Sequence, residues 1–483
     1  MNQQIKLRFA PSPTGNLHIG NVRAALFNMY FAKKNEGVFA LRIEDTDTDR
    51  CKPEYVDGLM EKLTWLGVKW EGEVLRQSER FDRYQDCAQK LLDAGLAYEC
   101  FETPEELDAI NKDRMKQKLP PGYDGRAKNL TDDEKQKLRY EGREVTIRFA
   151  TPNTGISTFT DLIRGEVSVD WAGVSDFVIM RSNGTPTFFL ANAVDDADSH
   201  VTHAFRGEDL LDSTHRIIAL RKALAEIGSI DEAYSNQNYA HMPLILSADR
   251  AKLSKRHGAV GIDDLRELGY LAKALVNYIS LLGWSHPEQK EIVTVDEIVE
   301  HFYVDRINSS AAIFDTKKLD WINGEYIRAM DEDELLKEVT NFCKFIGNEN
   351  FINLDEETQK TVIRLAHDRA VTLKEIIDQA EFLSQKNSEI TYDEAAWEKL
   401  VKTDQVATTL TAIKDYLSNC EWTLEGVDLR PVCNELEVKP RKALPPVYTA
   451  LQGSDRGLPL FESILLLGRE DVVARLDAVI KKL

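Results

Sequence analysis

The sequence predicts an α/β protein built on an open parallel sheet, interrupted by an α+β segment and followed by an all-helical remainder. Three observations carry this reading. Strand, loop, helix and strand succeed one another within residues 5–43, residues 144–190 change to hairpin texture, and nearly everything beyond residue 257 is amphipathic helix. A chain of 483 residues exceeds a single core, and at about 100–200 residues per domain it should fold as roughly three to five.

The elements follow in order. Ile5, Leu7 and Phe9 alternate with Lys6 and Arg8, the period of a strand, and the pattern stops at Pro11-Ser-Pro-Thr-Gly15. After Gly20, Ala24 to Phe31 suit a helix, and residues 37–43 return as a buried strand, which completes a βαβ unit. Helical patterns cover about 53–66 and 78–93, then lysine-rich helices about 103–118 and 131–141. Strands are expected at 145–149, 159–170 with a turn at Arg164-Gly165, and 177–189 turning at Asn183-Gly184, all inside an insertion. The α/β texture resumes with a strand at 201–206 and a helix capped by Ser213 and running through Ile227. Leu265, Leu268, Leu271, Leu275, Ile279 and Leu282 read as one helix face, and Pro445-Pro446 as a helix break.

Composition narrows the function classes. Lysine plus arginine number 61 against 81 acids, a net charge of −20 with 43% hydrophobic residues, which describes a folded acidic protein. By itself this balance argues against a nucleic-acid partner, but binding depends on where the cations stand. No run approaches the ~20 apolar residues of a membrane span. The amino terminus lacks the apolar core of a secretory signal, and six scattered cysteines without Cys-x-x-Cys suit a reducing compartment, so a cytoplasmic protein is expected.

Two segments carry candidate chemistry. Arg8 to Asn21 places Gly15, His18 and Gly20 where a strand turns into a helix, an anion site in which unpaired helix N–H groups and a close-approach glycine would meet a phosphate. Ala251 to Gly258 sets Lys252 and Lys255 three apart beside Ser254 and Arg256, ammonium groups suited to a departing pyrophosphate. Taken singly, each also reads as an ordinary capped loop or a solvated basic loop.

Together they resemble the two signatures of class I aminoacyl-tRNA synthetases, here His18-Ile-Gly-Asn21 and Lys252-Leu-Ser-Lys-Arg256. Phe9-Ala-Pro-Ser-Pro-Thr-Gly15, Leu41-Arg-Ile-Glu-Asp-Thr-Asp47, Val194-Asp-Asp196 and Phe205-Arg-Gly-Glu-Asp209 sharpen the resemblance to the glutamyl-tRNA synthetases, with agreement from residue 8 to residue 258. The resemblance implies a Rossmann-type catalytic domain in two halves (1–77 and 191–256) split by an acceptor-stem-binding insertion (78–190). A stem-contact domain (257–330) and two helical anticodon-binding units (331–385 and 386–483) would follow. It implies ATP, with Mg2+ accompanying it, and assigns the nucleotide to His18, Gly20, Asn21, Asp209, Lys255 and Arg256, with Lys252 and Ser254 beside the phosphates. Asn21 departs from the final histidine of the family signature.

The amino acid would be L-glutamate, held by Arg8, Ala10, Ser12, Glu44, Phe188, Asn192 and Arg206. Arg8 and Arg206 would take the γ-carboxylate and Glu44 the ammonium, with a strand-end ion pair as the lesser alternative for each. Phe188 stands where the family often has tyrosine. The insertion keeps only Cys100 of the cysteines with which relatives bind zinc, so no zinc is expected. The run Asp195, Asp196, Asp198, His200 and His203 reads as supporting and capping side chains rather than a metal site.

For tRNA(Glu), residues 112–143 hold ten Lys/Arg against six acids, and Lys439, Arg441 and Lys442 precede Tyr448. Arg50, Arg369, Arg441 and Lys442 are the candidate contacts, on a monomer with no membrane partner. Two rivals are a relative that glutamylates tRNA(Asp), which lacks the helical half, and an inactive homologue acting as an RNA-binding regulator.

Overall fold

The computed structural model describes residues 4–15, 17–118, 121–251, 253, 261–388 and 390–483. The chain divides into two compact units, one of residues 1–264 and 275–316, the other of residues 265–274 and 317–483.

The first unit opens with strand β1 (Lys6–Phe9), helix α1 (Ile19–Lys34) and strand β2 (Val38–Ile43), and β1 pairs with β2 in parallel, Arg8 opposite Ala40. α1 is buried along most of its length, because apolar residues occupy nearly every face of it. Then come α2 (Pro53–Trp65), β3 (Leu75–Arg76), α3 (Phe81–Asp93), β4 (Ala97–Cys100), α4 (Pro104–Lys116) and α5 (Asp132–Tyr140). Thr103 with Glu106, and Thr131 with Glu134, form reciprocal capping boxes that start α4 and α5. β5 (Thr146–Phe149), β6 (Ile156–Asp161), β7 (Gly165–Asp170) and β8 (Phe177–Met180) precede α6 (Phe188–Asp198), β9 (His203–Gly207), α7 (Leu211–Glu226), β10 (Asn238–Met242) and β11 (Ile245–Leu246). α8 (Ile262–Glu267), α9 (Ala272–Ser280), α10 (Val295–His301) and β12 (Ala312–Ile313) follow.

Strands β4, β5 and β8 make a small antiparallel sheet. The main sheet has two blocks, β1-β2-β3 and β9-β10-β6-β7. They adjoin where the Thr202 N–H donates to the Lys6 carbonyl at 2.9 Å and the Lys6 N–H donates to Thr202 Oγ1 at 2.9 Å. From β1 the chain crosses through α1 to β2 on one side, and from β9 through α7 to β10 on the other. Between such diverging strands an open sheet leaves a crevice at the carboxyl ends. Tyr84, Leu91, Leu190, Val194, Ile217, Leu220 and Leu224 pack α3, α6 and α7 into one core on a flank of this sheet.

The second unit is helical. It contains most of α11 (Thr316–Arg328), then α12 (Glu332–Ile346), α13 (Glu349–Ile352), α14 (Glu356–Ala366), α15 (Leu373–Ala380), α16 (Glu394–Val401), α17 (Val406–Asn419), α18 (Arg430–Glu435), α19 (Pro440–Gln452), α20 (Leu460–Leu467) and α21 (Arg469–Ile480). Leu335, Val339, Val362, Ile363 and Ile376 fill one core, and Leu410, Ile413, Leu417, Val447, Val472 and Leu476 another. Arg475 is 1% exposed and donates to Asn387 Oδ1 and to the carbonyl oxygens of Leu451, Phe382 and Gln385, which ties α21 to the preceding segment.

Five expectations fail at the level of elements. The strand expected over 177–189 ends at Met180, and Phe188 and Phe189 open α6 instead. The hairpin of β6 and β7 does not belong to the insertion's sheet, because β6 pairs in parallel with β10, Asp161 opposite Tyr239. Ser213 lies inside α7, whose cap position is Leu210. The leucine face breaks into α8 and α9, because Gly269 takes φ +82° and its N–H donates to the Arg266 carbonyl. Pro445 and Pro446 stand within α19, which continues through them; the carbonyls they leave without helical donors belong to the exposed Arg441 and Lys442, while Pro446, Val447 and Ala450 are buried.

Candidate active site

A cavity of about 640 Å³ opens at the carboxyl ends of β1 and β9. The structure gathers eleven of the expected residues around it. Arg8, Ala10 and Ser12 come from β1 and its loop, His18, Gly20 and Asn21 from the start of α1, and Glu44 from the end of β2. Phe188 and Asn192 come from α6, and Arg206 and Asp209 from β9 and the turn after it. Leu253 and Gly261 also line the cavity. Lys252, Ser254, Lys255 and Arg256 lie outside the described residues. Arg50 is exposed and 3.9 Å from Asp47, and Arg369, Arg441 and Lys442 are exposed residues of the second unit.

At the start of α1 the geometry corrects the expectation of unpaired helix donors. His18 is the cap itself: its Nδ1 accepts from the Gly20 N–H at 3.1 Å and the Asn21 N–H at 3.3 Å, while Asn21 Oδ1 accepts from the His18 N–H at 3.4 Å. An accepting Nδ1 leaves the ring proton on Nε2. A Cβ at Gly20 would stand 3.0 Å from the His18 ring, so a side chain there would press on the capping histidine.

Under the amino-acid candidates runs a buried network that joins segments far apart in sequence. Arg8 donates through Nε and Nη2 to Asp196 at 3.0 and 3.3 Å, and Arg42 Nη1 donates to the same carboxylate at 2.5 Å. Gln237 Nε2 adds a fourth bond at 3.0 Å. Arg42 Nη2 then holds Glu44 Oε1 at 2.9 Å, and Asn192 Nδ2 lies 3.4 Å from that oxygen. Ser12 Oγ donates to the Glu44 carbonyl at 2.9 Å and fastens the first loop to the end of β2. Burial alone would raise the Asp196 pKa, but the Arg8 and Arg42 charges hold it well below the usual carboxylate range. For Arg8 and Glu44 the ion-pair reading is thus part of the geometry, although both still line the cavity.

Arg206 differs. It is 5% exposed, and among the described residues it pairs with no carboxylate: Nε donates to His241 Nε2 at 3.1 Å, Nη2 donates to Thr214 Oγ1 at 2.6 Å, and the buried Nη1 finds no partner there. Burial lowers its pKa to about 10. Arg23 of α1, another buried guanidinium of the cavity wall, is likewise lowered to about 10 by burial and is held by the carbonyls of Leu282 and Pro243. Arg23, Arg42, Thr214 and His241 were not among the expected residues. Arg42 stands inside the Leu41–Asp47 motif, which could have drawn attention to it, whereas Arg23, Thr214 and His241 lie in ordinary helical or strand patterns that nothing local marks.

Among the described residues no group of three His, Cys, Asp or Glu side chains could hold a metal ion. Cys100 Sγ donates to Glu102 at 2.9 Å and accepts from Arg148 Nε at 3.1 Å. In the acidic run, protein donors take up the carboxylates: Gln77, Arg80 and Tyr84 bind Asp195, and Arg80 and Arg83 bind Asp198. Among the described residues no helix is long and apolar enough to cross a membrane.

Residues 4–321 match the family model for the catalytic domain of class I tRNA synthetases (E and Q), and residues 334–480 match an anticodon binding domain. A glutamate–tRNA ligase of Carboxydothermus hydrogenoformans is 38% identical over 98% of this chain and 99% of its own, and one of Aquifex aeolicus 39% identical over 99% of each. The crystal structure of a glutamate–tRNA ligase from Elizabethkingia meningosepticum in complex with its amino acid covers 99% of this chain and all of its own, with a TM-score of 0.77 at 30% identity. The chain therefore belongs to the glutamate–tRNA ligase family of class I tRNA synthetases.

Proposed function

We propose that the protein activates L-glutamate with ATP and transfers it to tRNA(Glu), with the cavity at the ends of β1 and β9 as its active site. The observation that carries the reading is Arg206, a guanidinium of the cavity lining that has no carboxylate partner among the described residues and whose buried Nη1 is left without a hydrogen bond there. A substrate side-chain carboxylate supplies the missing acceptor. Glutamine would replace an anion by a neutral amide and forfeit the charge-assisted bond, worth about 1.5–3 kcal/mol. Arg8, whose Asp196 contacts use Nε and Nη2, adds its charge from the neighbouring strand. The second oxygen of Glu44, the one not held by Arg42, accepts the substrate ammonium.

The reaction needs positioning and charge stabilisation rather than a protein nucleophile. An oxygen of the glutamate α-carboxylate attacks the α-phosphorus of ATP, the bond to the bridging oxygen breaks, and pyrophosphate leaves. His18, with its proton on Nε2, donates to the phosphates, Gly20, Asn21 and Asp209 seat the nucleoside, and Lys252, Ser254, Lys255 and Arg256 stabilise the charge that collects on the departing pyrophosphate. A ribose hydroxyl of the terminal adenosine of tRNA then attacks the activated carbonyl and AMP leaves. Mg2+ accompanies ATP as its counter-ion. Arg50, Arg369, Arg441 and Lys442 contribute to tRNA binding by a cytoplasmic monomer.

The test is ATP–pyrophosphate exchange with glutamate and with glutamine, each with and without tRNA. Exchange with glutamate that depends on tRNA supports the reading, and glutamine as the better substrate overturns it. Lys255→Ala should lower the rate of activation by about 10²–10³-fold and weaken glutamate binding far less, as for a group acting on transition-state charge.

A further inference from the structure

The orientation of Arg206 is set by a second buried group on the neighbouring strand. In the parallel register of β9 and β10, Arg206 stands opposite His241. His241 is wholly buried, and both its backbone N–H and its ring face Asp161 at the end of β6: N lies 3.1 Å from Oδ2, and Nδ1 2.6 Å from the same oxygen. Asp161 also accepts from the N–H groups of Ile163 and Arg164, each at 2.9 Å. A carboxylate surrounded by donors can only accept, so the imidazole proton resides on Nδ1 and Nε2 is an acceptor. Arg206 Nε donates to that acceptor and Nη2 to Thr214, so two of the three guanidinium nitrogens are clamped and Nη1 is left over.

Thr214, His241 and Asp161 follow the order of a nucleophile triad, with 3.0 Å between Thr214 Oγ1 and His241 Nε2. All three are buried, and the threonine oxygen already accepts from Arg206 while donating to the Leu210 carbonyl, so the arrangement has no access for acyl chemistry.

We propose that His241, locked by Asp161 in its Nδ1–H tautomer, is a positioning residue that holds the Arg206 guanidinium with Nη1 as its remaining donor for the substrate's side-chain carboxylate, and so sets the preference for an acidic amino acid. The proposal rests on the reading of Arg206 as the partner of that carboxylate. His241 touches no substrate; it acts by denying the guanidinium its other rotamers. A planar cation fixed at two points meets a carboxylate without first losing side-chain freedom.

The experiment is ATP–pyrophosphate exchange by the full chain with tRNA present, with KM for glutamate and for ATP measured separately, on Arg206→Gln, His241→Leu, His241→Gln and His241→Asn. His241→Leu should raise the glutamate KM by about 10–100-fold, the loss expected from misplacing one binding group, with the ATP KM unchanged. His241→Gln should recover most of that loss, because its amide oxygen accepts from Arg206 while its N–H donates to Asp161; the shorter His241→Asn should not. A glutamate KM at the wild-type value in His241→Leu, or Gln and Asn variants with equal glutamate KM, overturns the proposal; the second comparison decides should the leucine variant fail to fold. Arg206→Gln separates the two layers. If it leaves the preference for glutamate over glutamine intact, the reading of the site itself fails; if it abolishes that preference while His241→Leu keeps it, only the positioning role fails.

Discussion

Asp196 is the most demanding point of the network, and Asp196→Asn tests it. The side chain is fully buried and accepts four hydrogen bonds, three of them from the guanidinium groups of Arg8 and Arg42 and the fourth from Gln237. Asparagine keeps the shape but removes the charge and turns one acceptor oxygen into a donor that faces donors. Two cations then remain in the interior with the charge that offset them gone. Breaking a buried ion pair from one side costs about 3–5 kcal/mol. A domain is stable by only about 5–15 kcal/mol, so the variant should retain its fold with much of that margin removed. The urea slope grows with the surface exposed, and at about 3 kcal/mol per molar for a unit of this size the unfolding midpoint should fall by about 1–2 M. Pulse proteolysis across a urea series reads that unit separately from the helical one. Glu44→Gln is the internal comparison: Glu44 binds the same Arg42 but is partly open to solvent, and its loss should cost about 1 kcal/mol or less. Equal midpoints for Asp196→Asn and the wild type, or a larger fall for Glu44→Gln, would refute the assignment of Asp196 as the hub.

Three further outcomes are expected. Burial lowers the pKa of His203, His215 and His241, so below the ordinary imidazole value of about 6.5 the unfolded chain binds protons that the folded chain does not. Stability of the first unit should therefore rise with pH up to that value and then level off; Asp161, Asp176, Asp196 and Asp198, all held low, add the same sign below about pH 4, while Asp195, raised by burial, opposes the rise just above about pH 4. A higher urea midpoint at pH 5 than at pH 7 would contradict this. Gly269→Ala should destabilise the second unit by more than about 1 kcal/mol, because the residue has φ +82° and a Cβ there would strike the backbone nitrogen of Lys374; thermal unfolding measures it. Affinity for tRNA, measured by filter binding, should fall as salt rises, since a chain of net charge −20 must hold RNA through a few local cations; affinity indifferent to salt would place the contacts elsewhere.

Legibility in the sequence followed the range of the interaction. The first βαβ unit, α4 and α5 were readable because period-2 and period-3.6 patterns are local, as are the threonine caps that the structure shows at α4 and α5. The single leucine face and the proline break both failed, because apolar spacing alone does not reveal that Gly269 takes a left-handed turn or that α19 is carried through two prolines by the packing of Pro446, Val447 and Ala450. The hairpin of β6 and β7 had the right shape and the wrong neighbour, since strand pairing across 78 positions, Asp161 with Tyr239, leaves no trace in either segment.

The candidate site divides in the same way. His18 and Gly20 could be named from the run that turns a strand into a helix, and Arg8, Glu44, Asn192 and Arg206 through the resemblance to a known family. Their electrostatic state could not. Arg8 and Arg206 look alike in sequence, each an arginine near the end of a sheet strand, yet the first pairs with Asp196, 188 positions away, while the second is clamped by a neutral imidazole and left with a nitrogen unbonded among the described residues. What the sequence determined by itself was the order of elements and the inventory of reactive side chains, both properties of short stretches of chain. Which cation is already paired, and which remains to meet a substrate, is decided by the packing of β1, β9, β10 and α6, because a charge's partner in a folded protein is its neighbour in space.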